Sequence, residues 1–330
     1  MKGDILVVGG AGYIGAHMVK QLARAGYRPV VLDNLSGGVR EAVGKARLVV
    51  ADLGNPGAID ALMQAYDFAA VMHFASFIQV GESVADPAKY YDNNVGNTVR
   101  LLEAMVRHGV NRFIFSSTAA IFGEPEYVPI DEKHPTVPIN PYGRSKWMVE
   151  QILADFDTAY GLRSSCLRYF NAAGADPDGD IGECHAPETH LIPLVLQAAS
   201  GRRPAITIYG ENYETPDGTC VRDYIHVSDL CDAHLLALEA LFEGGPSTHY
   251  NLGNGAGYSI MEVVAAVERV TGKTIQRESG PRRPGDPPVL VADASLAKQA
   301  LNWRPQFSAI DTIIDHAWRW ERRHFMGADS

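Results

Sequence analysis

Short, continuous apolar runs alternate with longer helical patterns along the first half of the chain. A continuous apolar run is typical of a strand that is buried on both faces. Strands that alternate with helices indicate a parallel sheet with helices on both sides. The predicted strands lie at residues 5–8, 29–32, 48–50, 70–75, 112–115 and 165–169, and the predicted helices at 57–66, 87–108 and 142–160.

The pattern changes after Asn171. Residues 172–189 are rich in Gly, Pro and Asp and poor in apolar residues, which predicts a surface excursion without regular structure. Shorter elements follow: helices at 191–200, 227–242 and 259–271, strands at 205–209 and 250–252, and terminal helices from about 294 and 308. We therefore expect a first domain over residues 1–171, to which 225–252 return a helix and a strand, and a smaller mixed α/β cap over 172–330.

Composition and charge narrow the possible partners. The 330 residues are 46% hydrophobic and 21% charged, as in ordinary globular proteins. The net charge of −10 argues against nucleic acid or an anionic membrane, because both attract basic surfaces. The sequence has neither a membrane-spanning run nor a signal-peptide pattern. Four widely spaced cysteines (Cys166, Cys184, Cys220 and Cys231) predict no disulfide framework and no metal site, so we expect a cytoplasmic protein.

The first predicted strand leads directly into the glycine-rich segment 9–15, GGAGYIG. Glycines at positions 9, 12 and 15 allow the backbone to approach a pyrophosphate and direct a helix N-terminus towards it. The next strand ends at Asp33, whose carboxylate would bind an adenosine ribose and repel a 2′-phosphate. This order of strand, glycine turn, helix and acid predicts a doubly wound, Rossmann-type parallel sheet that binds NAD in preference to NADP.

Tyr142 and Lys146 lie one helical turn apart near the start of a predicted helix, so both side chains face the same way. A nearby cation favours a phenolate, but lowering a phenol pKa from about 10 to about 7 requires roughly 4 kcal/mol, which implies a second cation. Thr118, just after a predicted strand, adds a hydroxyl that can bind a substrate hydroxyl. His73 lies within a strand and is predicted to be a core residue.

These features together resemble the extended short-chain dehydrogenase/reductase family. Longer segments are similar to one group within it, the UDP-glucose 4-epimerases. The segments are 81–84 (GESV), 90–94 (YYDNN), 168–171 (RYFN), 221–227 (VRDYIHV), 250–253 (YNLG) and 283–286 (RPGD).

The resemblance implies reversible epimerisation at C4 of UDP-glucose and UDP-galactose through a transient 4-keto sugar, with NAD bound throughout. Tyr142 would remove the proton of the 4-hydroxyl, and the positive nicotinamide would be the required second cation. A homodimer formed through the helices at 87–108 and 142–160 is also implied, as is a role in galactose metabolism.

The resemblance also assigns the site residues, position by position. Tyr142, Lys146 and Thr118 are catalytic. The cofactor-binding residues are Gly9, Gly12, Tyr13, Ile14, Gly15, Asp33, Asn34, Asp52, Leu53, Phe74, Ala75, Asn93, Ser116, Tyr142, Lys146 and Tyr169. The substrate-binding residues are Thr118, Tyr142, Asn171, His190, Leu191, Tyr209, Arg222, Tyr224, Arg283, Asp286 and Leu290. Among them, Asn171, Arg222 and Arg283 would bind the diphosphate. Tyr209 would contact the uracil, and Asp286 would bind the uridine ribose.

Three positions depart from the pattern of the resemblance. Thr118 replaces a common serine, Ile78 replaces a lysine that several members place against NAD, and Leu290 replaces a tyrosine that some members carry. The loss of that lysine would weaken NAD retention, and the shorter Leu290 would admit UDP-N-acetylhexosamines weakly.

Other functions stay open. A sugar-nucleotide 4,6-dehydratase would have an acidic pair where this chain has Ala119-Ala120. An epimerase of another UDP-sugar would share the same base. A non-catalytic NAD-sensing module would not require Tyr142 and Lys146.

Overall fold

The computed structural model describes residues 2–283 and 285–327, so Pro284 of the 283–286 segment lies outside the described residues. Its central feature is a seven-stranded sheet in which all neighbouring strands are parallel. The strands of the chain are β1 (Asp4–Val8), β2 (Arg28–Asp33), β3 (Arg47–Val50), β4 (Phe68–His73), β5 (Arg112–Thr118), β6 (Arg163–Tyr169), β7 (Asn171–Ala173), β8 (Ile206–Tyr209), β9 (Val221–His226), β10 (Thr248–Leu252), β11 (Gly257–Ser259), β12 (Arg277–Gly280) and β13 (Val289–Leu290). The sheet order is β10-β6-β5-β4-β1-β2-β3.

Helices lie on both faces of this sheet and in the C-terminal half. They are α1 (Tyr13–Arg24), α2 (Pro56–Ala65), α3 (Val80–Ala85), α4 (Pro87–Tyr90), α5 (Asn97–Arg107), α6 (Pro141–Tyr160), α7 (Leu191–Ala199), α8 (Val227–Phe242), α9 (Ile260–Thr271), α10 (Ser295–Ala300) and α11 (Ile310–Glu321). No helix in the described part of the chain is long and apolar enough to cross a membrane.

The side chains of each strand alternate between the two faces of the sheet and divide the apolar core into two clusters. Ile5 and Val7 of β1 face a cluster with residues of α1 and α8, and Leu6 and Val8 face a cluster with residues of α2, α5 and α6. Successive side chains of a strand point to opposite faces, so a fully apolar strand serves both clusters. The predicted doubly wound parallel sheet is therefore confirmed.

His73 is the core residue that was predicted. It is 1% exposed, and its Nε2 lies 3.3 Å from the Thr98 hydroxyl. Burial lowers its pKa to about 3, with a further contribution from the positive Lys146. The imidazole is therefore neutral and part of the core.

The C-terminal half packs around a separate apolar cluster formed mainly by α7, α9 and α11. Strand β9 lies between β11 and β13 at its start and pairs with β7 at its end. Strands β8 and β12 form a two-stranded parallel ribbon. Most element ends lie within two residues of the predicted ones.

Two predictions for this chain need correction. Part of the supposed surface excursion after Asn171 is strand β7, and Ala175 and Asp176 beyond it are buried. The carboxylate of Asp176 accepts a 2.5 Å hydrogen bond from Lys20 of α1. Because the two opposite charges are paired, this polar segment can be buried. The helix predicted over 87–108 is interrupted by a π-helical segment, Tyr91–Gly96.

Helix α6 is fixed at both ends and along its buried face. The Asn140 side chain accepts a 2.8 Å hydrogen bond from the Gly143 amide, and Gly161 ends the helix with φ of +67°. In the middle, the Glu150 carboxylate receives three hydrogen bonds of 2.5–3.1 Å from Arg168 of β6 and another from Ser117 of β5. These bonds hold the first turn of α6 at the carboxyl ends of β5 and β6.

Candidate active site

The glycine-rich turn between β1 and α1 is tightly packed at Gly9 and Gly15 and open at Gly12. A Cβ on Gly9 would lie 2.5 Å from the Ala75 amide nitrogen, and one on Gly15 would lie 2.1 Å from the Gly9 oxygen. At Gly12, where α1 begins, a Cβ would meet only the Gly9 oxygen at 3.5 Å. No side chain among the described residues caps α1. Its first amides are therefore available to a pyrophosphate, and the residues present fit a bound dinucleotide.

Asp33 closes one side of this turn. Its buried carboxylate accepts hydrogen bonds from the backbone amides of Ala11 (2.9 Å) and Leu35 (2.8 Å). The neighbouring Asn34 donates a 2.7 Å bond to Asp52, which follows β3 and precedes the nearly buried Leu53. Asp33 and Asp52 therefore lie near one another at the ends of β2 and β3, where the sequence analysis predicts the adenosine ribose.

The next three strand ends supply further predicted cofactor residues. The Phe74 amide continues the sheet by donating to the Val8 oxygen at 2.8 Å. The hydroxyls of Ser116 and Tyr169 are hydrogen-bonded. The rings of Phe74 and Tyr169 both contact His234 of α8, at centroid distances of 5.2 and 6.0 Å. Side chains from β4, β5 and β6 therefore meet beside the glycine turn.

Asn93 lies on the π-helical segment. Its amide nitrogen donates a 3.0 Å bond to Asn94, which in turn binds Ser145 of α6 at 3.1 Å. This chain of amides links the predicted cofactor residue to the helix that carries Tyr142. No sequence signal had indicated the π turn.

Tyr142, Thr118 and Lys146 lie together at the carboxyl end of β5. The Thr118 side chain lies near enough to the Tyr142 phenol to act on its pKa. The Lys146 ammonium donates a 2.9 Å bond to the Ser116 oxygen and lies 4.9 Å from the centre of the Phe115 ring. The predicted base, cation and hydroxyl are therefore assembled in one place.

Burial acts on both titrating groups of this site. It raises the pKa of the Tyr142 phenol, an effect that the Thr118 side chain opposes. It lowers the pKa of Lys146 to about 7, against the opposing effect of Glu150. Both shifts favour the neutral forms. A phenolate at Tyr142 therefore requires a further positive charge in the site, as the sequence analysis anticipated.

Several of the predicted substrate residues lie near one another in the C-terminal half. Arg222 of β9 is hydrogen-bonded to Asp286, and the Arg283 guanidinium lies 4.3 Å from the centre of the Tyr209 ring. Asn171 of β7 donates a 2.9 Å bond to the Asp223 oxygen. Two guanidinium groups and an aromatic ring thus occur near one another, which suits a nucleoside diphosphate.

Three other predicted substrate residues lie in or against apolar clusters. Tyr224 is 5% exposed and belongs to the apolar cluster of the C-terminal half, which Leu191 of α7 also contacts. Leu290 is half-buried and packs against the small cluster that contains Ala119 and Phe122. Their contacts with a substrate remain predictions.

His190 lies in a cluster that the sequence analysis missed. Its Nδ1 is 2.7 Å from Glu183 and 3.0 Å from Glu188, and His185 Nδ1 is 3.1 Å from Glu183. Burial lowers the pKa of both imidazoles, but the two carboxylates raise it to about 9 for His185 and about 10 for His190. The sequence pattern that could have indicated this cluster is E-x-H-x-x-E-x-H at residues 183–190.

The sheet, glycine turn and Tyr142–Lys146 pair define a dinucleotide-binding enzyme of the short-chain dehydrogenase/reductase type. The chain belongs to the NAD dependent epimerase/dehydratase family, whose model matches residues 5–253. Within this family its similarity is to UDP-glucose 4-epimerases. The Rhizobium meliloti (strain 1021) enzyme is 50% identical over 324 residues, which cover 98% of both chains.

Two solved structures agree with this assignment. UDP-glucose 4-epimerase from Brucella ovis in complex with NAD has a TM-score of 0.94 and 51% identity, covering 96% of this chain and 97% of that one. The enzyme from Bifidobacterium longum in complex with NAD+ and UDP has a TM-score of 0.93 and 37% identity, covering 98% and 99%. The resemblance and the enzyme class predicted from the sequence are confirmed.

Asp33 yields a prediction about cofactor choice. The protein should co-purify with NAD, and Asp33→Ser should reduce the preference for NAD over NADP by roughly 10-fold or more, because each 1.4 kcal/mol of lost discrimination is a factor of ten. Mass analysis of the cofactor released by denaturation and binding titrations of both dinucleotides measure this. Asp52→Asn is the matched control and should weaken both dinucleotides alike. Bound NADP in the wild-type protein would contradict the role of Asp33.

Proposed function

We propose that this protein interconverts UDP-glucose and UDP-galactose by NAD-dependent epimerisation at C4, and that it serves galactose metabolism. The observation that carries the proposal is the convergence of Tyr142, Lys146 and Thr118 at the carboxyl end of β5, beside a turn that fits NAD. Similarity over nearly the whole chain to UDP-glucose 4-epimerases supports it. The cytoplasm stays the predicted location, and all four cysteines are unpaired.

Tyr142 is the proposed general base. Thr118 binds the oxygen at C4 and aligns the hydroxyl proton with the phenolate. NAD, when bound, would supply the hydride acceptor for C4 and the hydride donor for the other face of the 4-keto sugar. Tyr142 then returns the proton to the new 4-hydroxyl, so the configuration is inverted with no net oxidation.

Lys146 and the cofactor charge act together on Tyr142. In the structure, burial disfavours both the phenolate and the ammonium. A positive charge near the phenol, which the oxidised nicotinamide would supply, favours the phenolate, and the phenolate in turn favours the protonated Lys146. The base is therefore active when the oxidised cofactor is present, which is the state that must accept a hydride.

The opposite wall holds the nucleotide portion. Arg222, Arg283 and Asn171 are proposed to bind the diphosphate, Tyr209 to contact the uracil and Asp286 to bind the uridine ribose. Arg222 and Asp286 are paired in the structure, so the pair would open or share its hydrogen bonds when UDP enters.

We also propose that the chain is divided into two domains. Residues 1–171 together with 225–252 would form the NAD-binding unit, and 172–330 mainly the cap. The position of β10 at the edge of the central sheet and the separate apolar cluster of α7, α9 and α11 support this division.

The decisive assay offers UDP-galactose to the purified protein without added NAD. We expect UDP-glucose as the product, and Tyr142→Phe should reduce turnover by about 10²–10⁴-fold, the usual contribution of a positioned acid–base group. Tyr160→Phe, at the exposed end of the same helix, is the matched control and should keep wild-type turnover. More than half of wild-type turnover in Tyr142→Phe would remove this residue from the mechanism.

The same assay, extended to other UDP-sugars, separates the alternatives. Loss of water and formation of a 4-keto-6-deoxy sugar nucleotide would indicate a 4,6-dehydratase. Epimerisation of a different UDP-sugar would indicate another specificity. An intact NAD content with no product from any UDP-sugar would indicate a sensing module.

Leu290 is proposed to limit the size of the sugar. It is half-buried, and its register partner on β9 is Arg222, so it lies beside the proposed diphosphate site. We expect weak turnover of UDP-N-acetylglucosamine and UDP-N-acetylgalactosamine, and Leu290→Tyr should lower kcat/KM for these sugars by a further 10- to 200-fold or so relative to UDP-glucose. Leu296→Tyr on α10 is the control. An unchanged ratio in Leu290→Tyr would mean that Leu290 is only a core residue.

We also propose a homodimer formed through the helices at 87–108 and 142–160. Met148 on α6 is 41% exposed, and α3, which packs against α6, exposes Val80 and Val84. Large apolar side chains grouped on adjoining helices favour an isologous contact.

Light scattering at micromolar concentration should give twice the mass of one chain. Met148→Glu should shift the equilibrium towards the monomer, because the contact is isologous and each dimer buries the new charge twice. The exposed Leu296 on α10 provides the control Leu296→Glu, which should remain dimeric. A monomeric wild-type protein would refute the proposal.

A further inference from the structure

Four side chains between β7 and α7 converge on one point. Glu183, His185, Glu188 and His190, here called the 183–190 cluster, each offer one ligand atom, and these atoms all lie within 4.8 Å of one another. The neighbouring pairs are closer. Each His Nδ1 lies 2.7–3.7 Å from a carboxylate oxygen of Glu183 and of Glu188.

These distances match the edges of a small coordination polyhedron. In a tetrahedral zinc site with bonds of 2.0–2.1 Å, neighbouring ligand atoms are about 3.3 Å apart. The observed spacings bracket this value, so an ion at the centre requires only small side-chain movements. Its binding would release the Nδ1 protons that the two imidazoles share with the carboxylates. We propose that the 183–190 cluster is a binding site for one divalent transition-metal ion of the Zn²⁺ type, held by two imidazole nitrogens and two carboxylates.

The donor set selects the class of metal. Two imidazole nitrogens favour Zn²⁺, Co²⁺, Ni²⁺ or Cu²⁺ over Mg²⁺ and Ca²⁺, which prefer six or more oxygen ligands. Glu188 Oε1 accepts bonds from the backbone amides of Thr189 and His190, at 2.7 and 2.8 Å, which fix the orientation of this carboxylate. Such bonds around a ligand orient it before the metal arrives.

The surroundings indicate a structural ion. Both carboxylates are only 6% exposed, whereas the side chains of His185 and His190 are 23% and 41% exposed, which provides an entry path. Four protein ligands complete a tetrahedral shell and leave no open position for chemistry.

A metal at this point would connect several elements. The His185 ring lies edge-on to Tyr13 of α1 at 6.3 Å, Trp320 of α11 donates a 3.2 Å bond to the Glu183 backbone oxygen, and His190 is the residue before α7. The ion would therefore join the loop to the glycine turn and to the core of the C-terminal half.

The nearby acidic cluster Asp176, Asp178 and Asp180 is a weaker alternative for the same ion. Its carboxylates are already paired with Lys20, and Asp178 also with Arg24. It offers no nitrogen ligand. A variant in this cluster is therefore a suitable control.

The test uses the purified holoprotein after treatment with a chelator and desalting. Titration with Zn²⁺ in competition with a chromophoric chelator should show one equivalent bound, and saturation should raise the Tm by several degrees because the ion binds the folded state. Co²⁺ in place of Zn²⁺ should give the intense visible absorption of a four-coordinate ion.

Glu188→Gln keeps the shape of the side chain and should weaken binding by about 100-fold or more, since even the loss of a residue outside the ligand shell costs 10–100-fold. His185→Gln should act alike, and Asp180→Asn should bind as the wild type does. Circular dichroism and NAD content establish that each variant is folded, and if neither ligand variant folds, the Co²⁺ spectrum of the wild type decides. Absence of saturable binding, a six-coordinate spectrum, or unchanged affinity in folded Glu188→Gln and His185→Gln would overturn the proposal, whether or not the protein is an epimerase.

Discussion

The buried Glu150 carboxylate holds α6, the helix that carries Tyr142 and Lys146, against the sheet. It accepts hydrogen bonds from Arg168 of β6 and Ser117 of β5, and the His249 ring of β10 lies 3.4 Å away. Removing one partner of such a buried pair typically costs about 3–5 kcal/mol, because the other charge is left unpaired. Glu150 lies one helical turn after Lys146, so the interaction that stabilises the fold also holds the Lys146 side of α6 against the sheet.

The burial of α6 also shifts the pKa values of the candidate catalytic residues. The same burial that packs α6 against β5 and β6 raises the pKa of Tyr142 and lowers that of Lys146. The chain alone therefore makes a poor base. Under the proposed mechanism the oxidised cofactor would supply a positive charge near the phenol and so lower the pKa of Tyr142. The redox state of the cofactor would then control the activity of the base.

The segment after β7 shows how polar sequence becomes part of an interior. Asp176 is buried through its bond to Lys20, and the 183–190 cluster collects two acids and two histidines between α1, α7 and α11. Charges tolerate burial only when they are paired or bound to a metal. Polar composition therefore predicts exposure only when the partners of each charge are known, and those partners lie far away in the sequence.

The sequence by itself determined the central sheet, the glycine turn and the candidate catalytic pair. These depend on local patterns: apolar runs such as residues 5–8, glycines at fixed spacing, and the one-turn separation of Tyr142 from Lys146. The π-helical segment at Tyr91–Gly96, the partnership of Glu150 with Arg168, the pairing of Arg222 with Asp286 and the assembly of the 183–190 cluster were decided by the tertiary structure. Even the cluster, although its members lie within eight residues, required the folded loop. Spacing predicts contacts only where the backbone geometry is regular, and in irregular loops the long-range packing sets the direction of each side chain.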